Sequence, residues 1–205
     1  MCLIGLSGVG KSSTINAMFG TRRTVSATVR GTTRFDASEH VVPSARLADV
    51  ALTCRLKVYD AVGLGDDIDS DANYLKRYRE HLPKCDVALW IVAARNRAIA
   101  LDQRYLRELA GVLPNLVIGL NQVDLVDPLD WSEAMNLPSA AQQAALTEIV
   151  ADRRSRLARF APNPDVTVVP YSAVRYYNLQ ALFLACVTAA PAETRARCSA
   201  RRDGS

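Results

Sequence analysis

The feature that most constrains this chain is a glycine-rich octet, GLSGVGKS, at residues 5–12. The octet matches the spacing G-x-x-x-x-G-K-[S/T]. The residues at its fixed positions are Gly5, Gly10, Lys11 and Ser12. A short strand is predicted before it at residues 1–4, and a helix at residues 11–19. Average residue usage produces this spacing by chance in about one chain of this length in a hundred. The octet therefore predicts a phosphate-binding loop, named the phosphate loop below.

Each residue type in the phosphate loop suits a chain of phosphates. Small residues let successive N–H groups turn inward, and the start of a helix adds unpaired donors and a positive dipole end. Lys11 places a charge near the β- and γ-phosphates, and the Ser12 hydroxyl is predicted to bind the bridging Mg²⁺. The predicted nucleotide contacts here are Gly8, Val9, Gly10, Lys11, Ser12 and Ser13. A glycine-rich turn with an incidental lysine is the structural alternative.

A second motif, NQVD, follows an apolar strand predicted at residues 116–120. The carboxylate of Asp124 can accept from both N1–H and the N2 amino group of guanine, which adenine does not offer. We therefore predict that Asp124 selects guanine. Gln122 is placed in the same site, and Asn121 is predicted to tie this segment to the phosphate loop.

A third motif, SAV, lies further along the chain at residues 172–174. The backbone N–H of Ala173 is predicted to donate to guanine O6, and Ser172 belongs to the same site. Taken singly, polar residues at strand ends are more often turn residues than ligands. The order of the motifs along the chain makes the nucleotide interpretation persuasive.

Two further motifs are predicted to respond to the γ-phosphate. DAVG ends another predicted strand, so Asp60 can hold a water on Mg²⁺ and the Gly63 N–H can reach the γ-phosphate. GTTR lies in the preceding loop and offers the Thr33 hydroxyl to Mg²⁺, in preference to Thr32. The predicted metal ligands are Ser12, Thr33 and Asp60. The predicted catalytic residues are Lys11, Thr33 and Gly63.

Apolar runs alternate with helical patterns along the rest of the chain, which is typical of an α/β fold with a parallel sheet. The predicted strands are residues 1–4, 35–42, 50–59, 86–93, 116–120 and 165–170. The predicted helices are residues 11–19, 72–81, 99–110, 139–160 and 178–187. Loops are predicted at residues 20–34 and 125–138. A loop is also predicted at the acidic residues Asp66, Asp67, Asp69 and Asp71.

The 205 residues suit one domain, which we predict at residues 1–190. Residues 191–205 are predicted to be a disordered basic tail. Five cysteines without C-x-x-C spacing favour a reducing cytoplasm. No apolar stretch approaches the roughly 20 residues that span a bilayer. Only residues 1–4 precede the phosphate loop, which is consistent with a chain that lacks its native N-terminus.

The ordered set GLSGVGKS, GTTR, DAVG, NQVD and SAV resembles the five motifs of the Era and TrmE group of GTPases. Within that group it is most similar to the prophage-type YfjP/YeeP-like GTPases. The resemblance covers nearly the whole chain. It implies a Ras-like P-loop NTPase fold: a six-stranded, mostly parallel sheet with helices on both faces and one antiparallel edge strand. It also implies binding of GTP and GDP with Mg²⁺.

Three positions depart from the family pattern. Gln122 stands where the family usually has a lysine whose stem covers the guanine plane. Gly8 stands where Era and TrmE relatives have a potassium-coordinating asparagine. Leu64 stands where Ras-type enzymes have a water-positioning glutamine. Slow GTP hydrolysis is therefore predicted.

Two functions from different classes remain open on the sequence. One is a GTPase switch that cycles slowly, helped by a protein effector, RNA or a GTP-dependent dimer. The other is a nucleotide-binding docking module with little or no hydrolysis. An arginine of the loop at residues 20–34 could supply positive charge for the hydrolysis step, although loop arginines are more commonly solvated. A P-loop ATPase would require Asp124 to take no part in base recognition.

Overall fold

The computed structural model describes residues 1–20, 36–42, 54–60, 64–65, 68–163 and 165–199. The strands in these ranges are β1 (Cys2–Gly5), β2 (Asp36–Val42), β3 (Cys54–Asp60), β4 (Val87–Ala93), β5 (Asn115–Asn121), β6 (Trp131–Ser132), β7 (Leu137–Pro138) and β8 (Thr167–Pro170). The α-helices are α1 (Lys11–Phe19), α2 (Ile68–His81), α3 (Ala100–Leu109), α4 (Ala140–Leu157), α5 (Leu179–Ala189) and α6 (Ala192–Ser199).

Six strands form one sheet in the order β2-β3-β1-β4-β5-β8. β2 and β3 pair in antiparallel fashion, with Asp36 opposite Asp60 and Val42 opposite Cys54. The other neighbouring strands pair in parallel. Every residue of β1 and β4 is buried, as expected for strands that are covered on both faces. The predicted mostly parallel six-stranded sheet with one antiparallel edge strand is confirmed.

Helices cover both faces of this sheet, as predicted. Successive strand residues point to opposite faces, and Leu3 and Ile91 share one core cluster with Ile15 of α1 and Leu182 of α5. Trp90 belongs to the cluster on the other face, against α2, α3 and α4. The helical residues buried in that second cluster include Leu75, Tyr78, Leu106, Leu109, Leu146 and Leu157.

Helix α2 begins earlier than the sequence suggested. Asp69 and Asp71, which we predicted to lie in a loop, are helical residues of α2. Acidic residues in the first turn of a helix interact favourably with its positive end, so the acidic run begins the helix instead of prolonging the loop. Asp66 and Asp67 lie outside the described residues.

Two other segments differ from expectation. Residues 125–138, predicted as a loop, contain a small antiparallel hairpin in which Trp131 pairs with Pro138 and Ser132 with Leu137. Residues 192–199, predicted as part of a disordered tail, form α6. Most remaining boundaries agree within a few residues, and α1 has the predicted bounds. Among the helices in the described ranges, none combines the length and apolarity needed to cross a bilayer.

Candidate nucleotide-binding site

The phosphate loop is shaped by glycines in left-handed backbone conformations. Gly5 has φ 148° and Gly10 has φ 92°. A Cβ on Gly5 would lie 2.4 Å from the carbonyl oxygen of Ile91, and one on Gly10 would lie 2.4 Å from Asn121 Nδ2. Side chains do not fit at either position. The loop therefore approaches β4 and the end of β5 closely, through backbone alone.

Lys11 is the first residue of α1, and Ser12 and Ser13 follow in its first turn. Its ammonium group donates to the carbonyl oxygens of Gly5 at 3.0 Å and Leu6 at 2.9 Å. Only 7% of Lys11 is exposed. Burial of an ammonium group is costly without acceptors, and these carbonyls hold the charge at the loop, where a phosphate chain would meet it.

Beneath the loop, Thr14 anchors α1 to the strand that leads to the SAV motif. Its hydroxyl donates to the carbonyl of Gly10 at 2.8 Å and lies 2.7 Å from the Tyr171 hydroxyl. Because the Thr14 proton goes to Gly10, Tyr171 is the donor in the second bond. Burial raises the pKa of Tyr171 well above its ordinary value, which keeps that donor protonated.

Asn121 joins the two halves of the site. Its amide nitrogen donates to the carbonyl of Val9 at 2.8 Å, and its amide oxygen accepts from the Ala173 N–H at 3.1 Å. The side chain is 2% exposed. One buried amide thus connects the phosphate loop, the end of β5 and the segment after β8.

Gln122 and Asp124 follow Asn121 at the carboxyl end of β5. Gln122 has φ 64°, in the left-handed region, and its amide donates to the carbonyl of Gly8 at 3.2 Å. Asp124 lies in a short 3₁₀ turn, and its side chain is 10% exposed. Both residues predicted at the base therefore lie at the same edge of the sheet as the phosphate loop.

The 172–177 turn closes that edge. Ser172 and Tyr177 exchange backbone hydrogen bonds of 3.1 and 3.0 Å, and the Ser172 hydroxyl accepts from the N–H of Arg175 at 3.1 Å. The Ala173 N–H, which we predicted to donate to guanine O6, donates to Asn121 Oδ1 at 3.1 Å in this structure. Its donation to guanine stays a prediction.

The segment after β3 is attached to the phosphate loop by backbone bonds. Leu64 N donates to Gly5 O at 3.3 Å, and Ser7 N donates to Leu64 O at 2.9 Å. The Leu64 side chain is fully buried, so it does not face a nucleotide. Gly65 N in turn donates to Asp71 Oδ1 at 3.0 Å. Gly63 and Thr33 lie outside the described residues.

Asp71 also accepts a short hydrogen bond from the hydroxyl of Tyr105 in α3. Burial, followed by the effect of the Asp71 carboxylate, raises the pKa of Tyr105 to about 12. Tyr105 therefore remains a donor at neutral pH. Asp71, bonded to Tyr105, thus holds Gly65, which lies two residues after the end of the DAVG motif.

The structure describes the backbone at two of the three predicted magnesium ligands, Asp60 and Ser12. Asp60 is the last residue of β3 and pairs with Leu3 of β1, the strand that leads into the phosphate loop. Ser12 lies in the first turn of α1. Hydroxyl and carboxylate oxygens are suitable ligands for Mg²⁺. Within the described residues no group of three or more His, Cys, Asp or Glu forms a separate metal site.

Several residues of this site were missed in the sequence. Arg175 lies 3.9 Å from Asp124, measured from Nε to Oδ2, and makes a close ion pair with Glu133. Thr14 and Tyr171, 157 residues apart, support the loop from below. No local pattern marks these contacts. The arginine directly after SAV was the one available signal.

This chain is similar in sequence to known GTPases. A profile described as "50S ribosome-binding GTPase" matches residues 1–122. YfjP of Escherichia coli K12, an uncharacterised protein, is 29% identical over 134 residues, which cover 62% of this chain and 42% of YfjP. A tRNA modification GTPase MnmE of Heliobacterium modesticaldum is 31% identical over 124 residues, covering 60% of this chain and 24% of MnmE.

The chain thus spans less than half the length of YfjP and of this MnmE. YeeP of Escherichia coli K12, a putative uncharacterised protein, is 32% identical over 125 residues, covering 58% of this chain and 51% of YeeP. The resemblance to the YfjP/YeeP-like and TrmE-like proteins is confirmed.

Solved structures show the same fold. A probable GTP-binding protein engB superposes with a TM-score of 0.61 at 16% identity, covering 92% of this chain and 96% of that one. A mutant of S. thermophilus NFeoB bound to GMPPNP superposes with a TM-score of 0.55 at 19% identity, covering 92% of this chain and 61% of that one. The phosphate loop and residues 121–124 therefore lie in a fold shared with GTP-binding proteins.

Proposed function

The chain belongs to the 50S ribosome-binding GTPase family, and from that premise we propose that it binds Mg-GTP and Mg-GDP and slowly hydrolyses GTP. In this proposal the protein is a molecular switch. The observation that carries it is the Asn121 amide, which bonds to both Val9 of the phosphate loop and Ala173 of the SAV motif. This one amide connects the phosphate side of the site to the base side.

The phosphates would bind against the inward N–H groups of Gly8, Val9 and Gly10 and against the Lys11 ammonium group. Gly10 φ of 92° and the burial of Lys11 support this placement. Mg²⁺ would be held by Ser12, Thr33 and Asp60, and it would supply positive charge that neutralises the phosphates. These three side chains would orient the ion and the nucleotide.

Guanine would be selected by the Asp124 carboxylate, with Gln122, Ser172 and Ala173 around it. The carboxylate is largely shielded from water, so a base that leaves it unpaired loses affinity. Adenine is such a base.

Slow hydrolysis follows from Leu64. Its side chain is fully buried and its backbone is bonded to the phosphate loop, so it cannot orient a water molecule. Without a glutamine or an added arginine we expect a rate on the order of 10⁻³ s⁻¹ or below. A protein effector, RNA or a GTP-dependent dimer would supply the missing group. Lys11, Thr33 and the Gly63 N–H would then provide the catalytic charge stabilisation.

The test is a titration of the protein with fluorescent GTP, GDP and ATP in the presence of Mg²⁺, repeated with Asp124→Asn. The proposal predicts guanine-selective binding that is at least about tenfold weaker in the variant. Equal binding of ATP, or an unchanged affinity in Asp124→Asn, would refute guanine selection and leave a generic phosphate-binding loop.

A second function is favoured by the same buried Leu64. The chain would then be a docking module that holds GTP or GDP without turnover. Phosphate release from Mg-GTP separates the two: a rate indistinguishable from that of GTP in buffer, at saturating protein, supports the module. A measurable rate that Lys11→Ala abolishes supports the GTPase.

A cytoplasmic location belongs to this proposal. Cys2, Cys85 and Cys186, the cysteines whose side chains are described, form no disulfide. Free thiols are usual in a reducing compartment. Cell fractionation of the tagged protein tests this part.

A further inference from the structure

Arg175 occupies a position that the family motifs do not explain. Within the described part of the chain it is the ion-pair partner of Asp124, with Arg175 Nε 3.9 Å from Asp124 Oδ2. The Arg175 side chain is 34% exposed and the Asp124 side chain 10%. The arginine thus lies at the mouth of the base site, beside the carboxylate that reads the base.

Arg175 is itself held by the β6–β7 hairpin, through both side chain and backbone. Its guanidinium forms a close ion pair with Glu133, and its carbonyl accepts from Asn136 Nδ2 at 2.9 Å. The Asn136 amide oxygen accepts from the Trp131 indole at 3.2 Å. Trp131 also packs edge-on against Tyr177, with ring centroids 5.1 Å apart. The hairpin therefore fixes the arginine.

A fixed arginine can orient a carboxylate because its planar fork directs several donors at once. One edge of the guanidinium pairs with Glu133, and Nε lies 3.9 Å from Asp124 Oδ2, at ion-pair distance. Guanine needs two acceptors from Asp124, one for N1–H and one for N2–H, so rotation of the carboxylate would lose one of the two bonds.

We propose that Arg175, held by Glu133 and Asn136 of the β6–β7 hairpin, is a specificity-determining positioning residue that fixes Asp124 for two-bond recognition of guanine. The inference rests on the proposed guanine site and adds to it the hairpin as the scaffold of base selection. Because the neutral Gln122 stands where the family usually has a lysine, the charge of Arg175 has more influence on this site.

The test compares GDP with IDP, whose base lacks the N2 amino group and so reports on the second bond to Asp124. Affinities for both are measured by calorimetry on the full chain, for wild type, Arg175→Gln, Glu133→Gln and Arg154→Gln. Arg154 is an exposed arginine of α4 and is the matched control. Thermal unfolding of each variant accompanies the titrations.

The wild type should prefer GDP over IDP by about tenfold or more, the worth of one hydrogen bond to a charged group. Arg175→Gln should lower this preference by about threefold or more, and Glu133→Gln should lower it less, while Arg154→Gln leaves it unchanged. If Arg175→Gln weakens GDP and IDP equally, or sharpens the preference, the inference is wrong. Glu133, with a 71% exposed side chain, provides a second variant if Arg175→Gln does not fold.

The wild-type result separates this inference from the function on which it rests. If the wild type binds neither nucleotide, the guanine site itself is refuted, and if it binds both equally, the second bond from guanine to Asp124 is refuted. If the wild type discriminates and Arg175→Gln discriminates equally well, only the role of Arg175 is refuted.

Discussion

The phosphate side and the base side of this site are built in different ways. The phosphate loop is one continuous stretch whose shape comes from backbone, with Gly5 and Gly10 in conformations that side chains disfavour. The base side is assembled from side chains in three separate segments: residues 121–124, the β6–β7 hairpin and the 172–177 turn. Local sequence therefore specifies the first part, whereas tertiary contacts specify the second.

This difference has an energetic consequence. A backbone cradle tolerates little change at its glycines, because an added Cβ meets backbone or a buried amide. A cradle of side chains distributes recognition over several bonds that can be altered one by one. Substitutions should accordingly have steep effects on the phosphate side and graded effects on the base side.

The largest effect is expected from Gly10→Ala. The added methyl group would lie 2.4 Å from Asn121 Nδ2 in a left-handed backbone conformation, which strains the loop and breaks its contact with Asn121. Affinity for GDP should fall by about 100-fold or more, and stability by about 1–3 kcal/mol. Calorimetry and urea unfolding measure both.

Gly111→Ala is the control for that experiment, because a Cβ on Gly111 meets nothing within 4 Å. It should leave GDP affinity unchanged. If Gly10→Ala binds GDP as well as Gly111→Ala does, the backbone account of the phosphate loop is contradicted.

A smaller effect on GDP affinity is expected from Asn121→Ala, which uncouples the phosphate side from the base side. The variant loses the bonds to Val9 and Ala173 and leaves a buried carbonyl and N–H unpaired, at a cost of about 2–4 kcal/mol in stability. GDP affinity should fall by about 30-fold, with free inorganic phosphate affected less. Unchanged GDP binding would show that the two sides are positioned independently.

The base side should respond mildly to Gln122→Lys, which introduces the residue usual in the family. The new stem can cover the base, while the bond from Gln122 to Gly8 is lost. We expect GDP to bind about two- to fivefold more tightly. Displacement of fluorescent GDP measures this change. Gln122→Ala removes the same bond without adding a stem, so tighter binding in both variants would point to loss of the bond to Gly8 and not to the lysine stem.

Asp102 lies outside both the phosphate side and the base side of the site. Its substitution should change the pH dependence of stability without changing GDP affinity. Burial raises its pKa to about 6, partly opposed by the bond from Trp90. The pKa of Asp102 in the folded chain lies above its unfolded value, so its contribution to the free energy of unfolding is fully present below about pH 4. That contribution, roughly 2–3 kcal/mol, is lost as the pH rises to about 6.

Urea unfolding of Asp102→Asn at several pH values checks this: the variant should lack that loss, and GDP affinity should not change. A pH dependence identical to that of the wild type would show that Asp102 is not its source.

The same contrast explains what the sequence could predict. The fold class and the phosphate loop follow from continuous signals, and α1 has its predicted bounds because loop and helix are adjacent. The β6–β7 hairpin was not predicted, since its strands contain two residues each and carry no periodicity. Arg175 and Glu133 are 42 residues apart, and only the folded chain pairs them and places Arg175 beside Asp124.

Base selection by Asp124 is the central claim, and exchange of GDP for XDP tests it most directly. Xanthine carries a carbonyl where guanine has the N2 amino group, so an amide at residue 124 can donate where the carboxylate accepted. The affinities of wild type and Asp124→Asn for both nucleotides should be measured under one condition with Mg²⁺. The account predicts that the wild type prefers GDP and that the variant reverses the preference. If both proteins keep the same preference, Asp124 does not read the base.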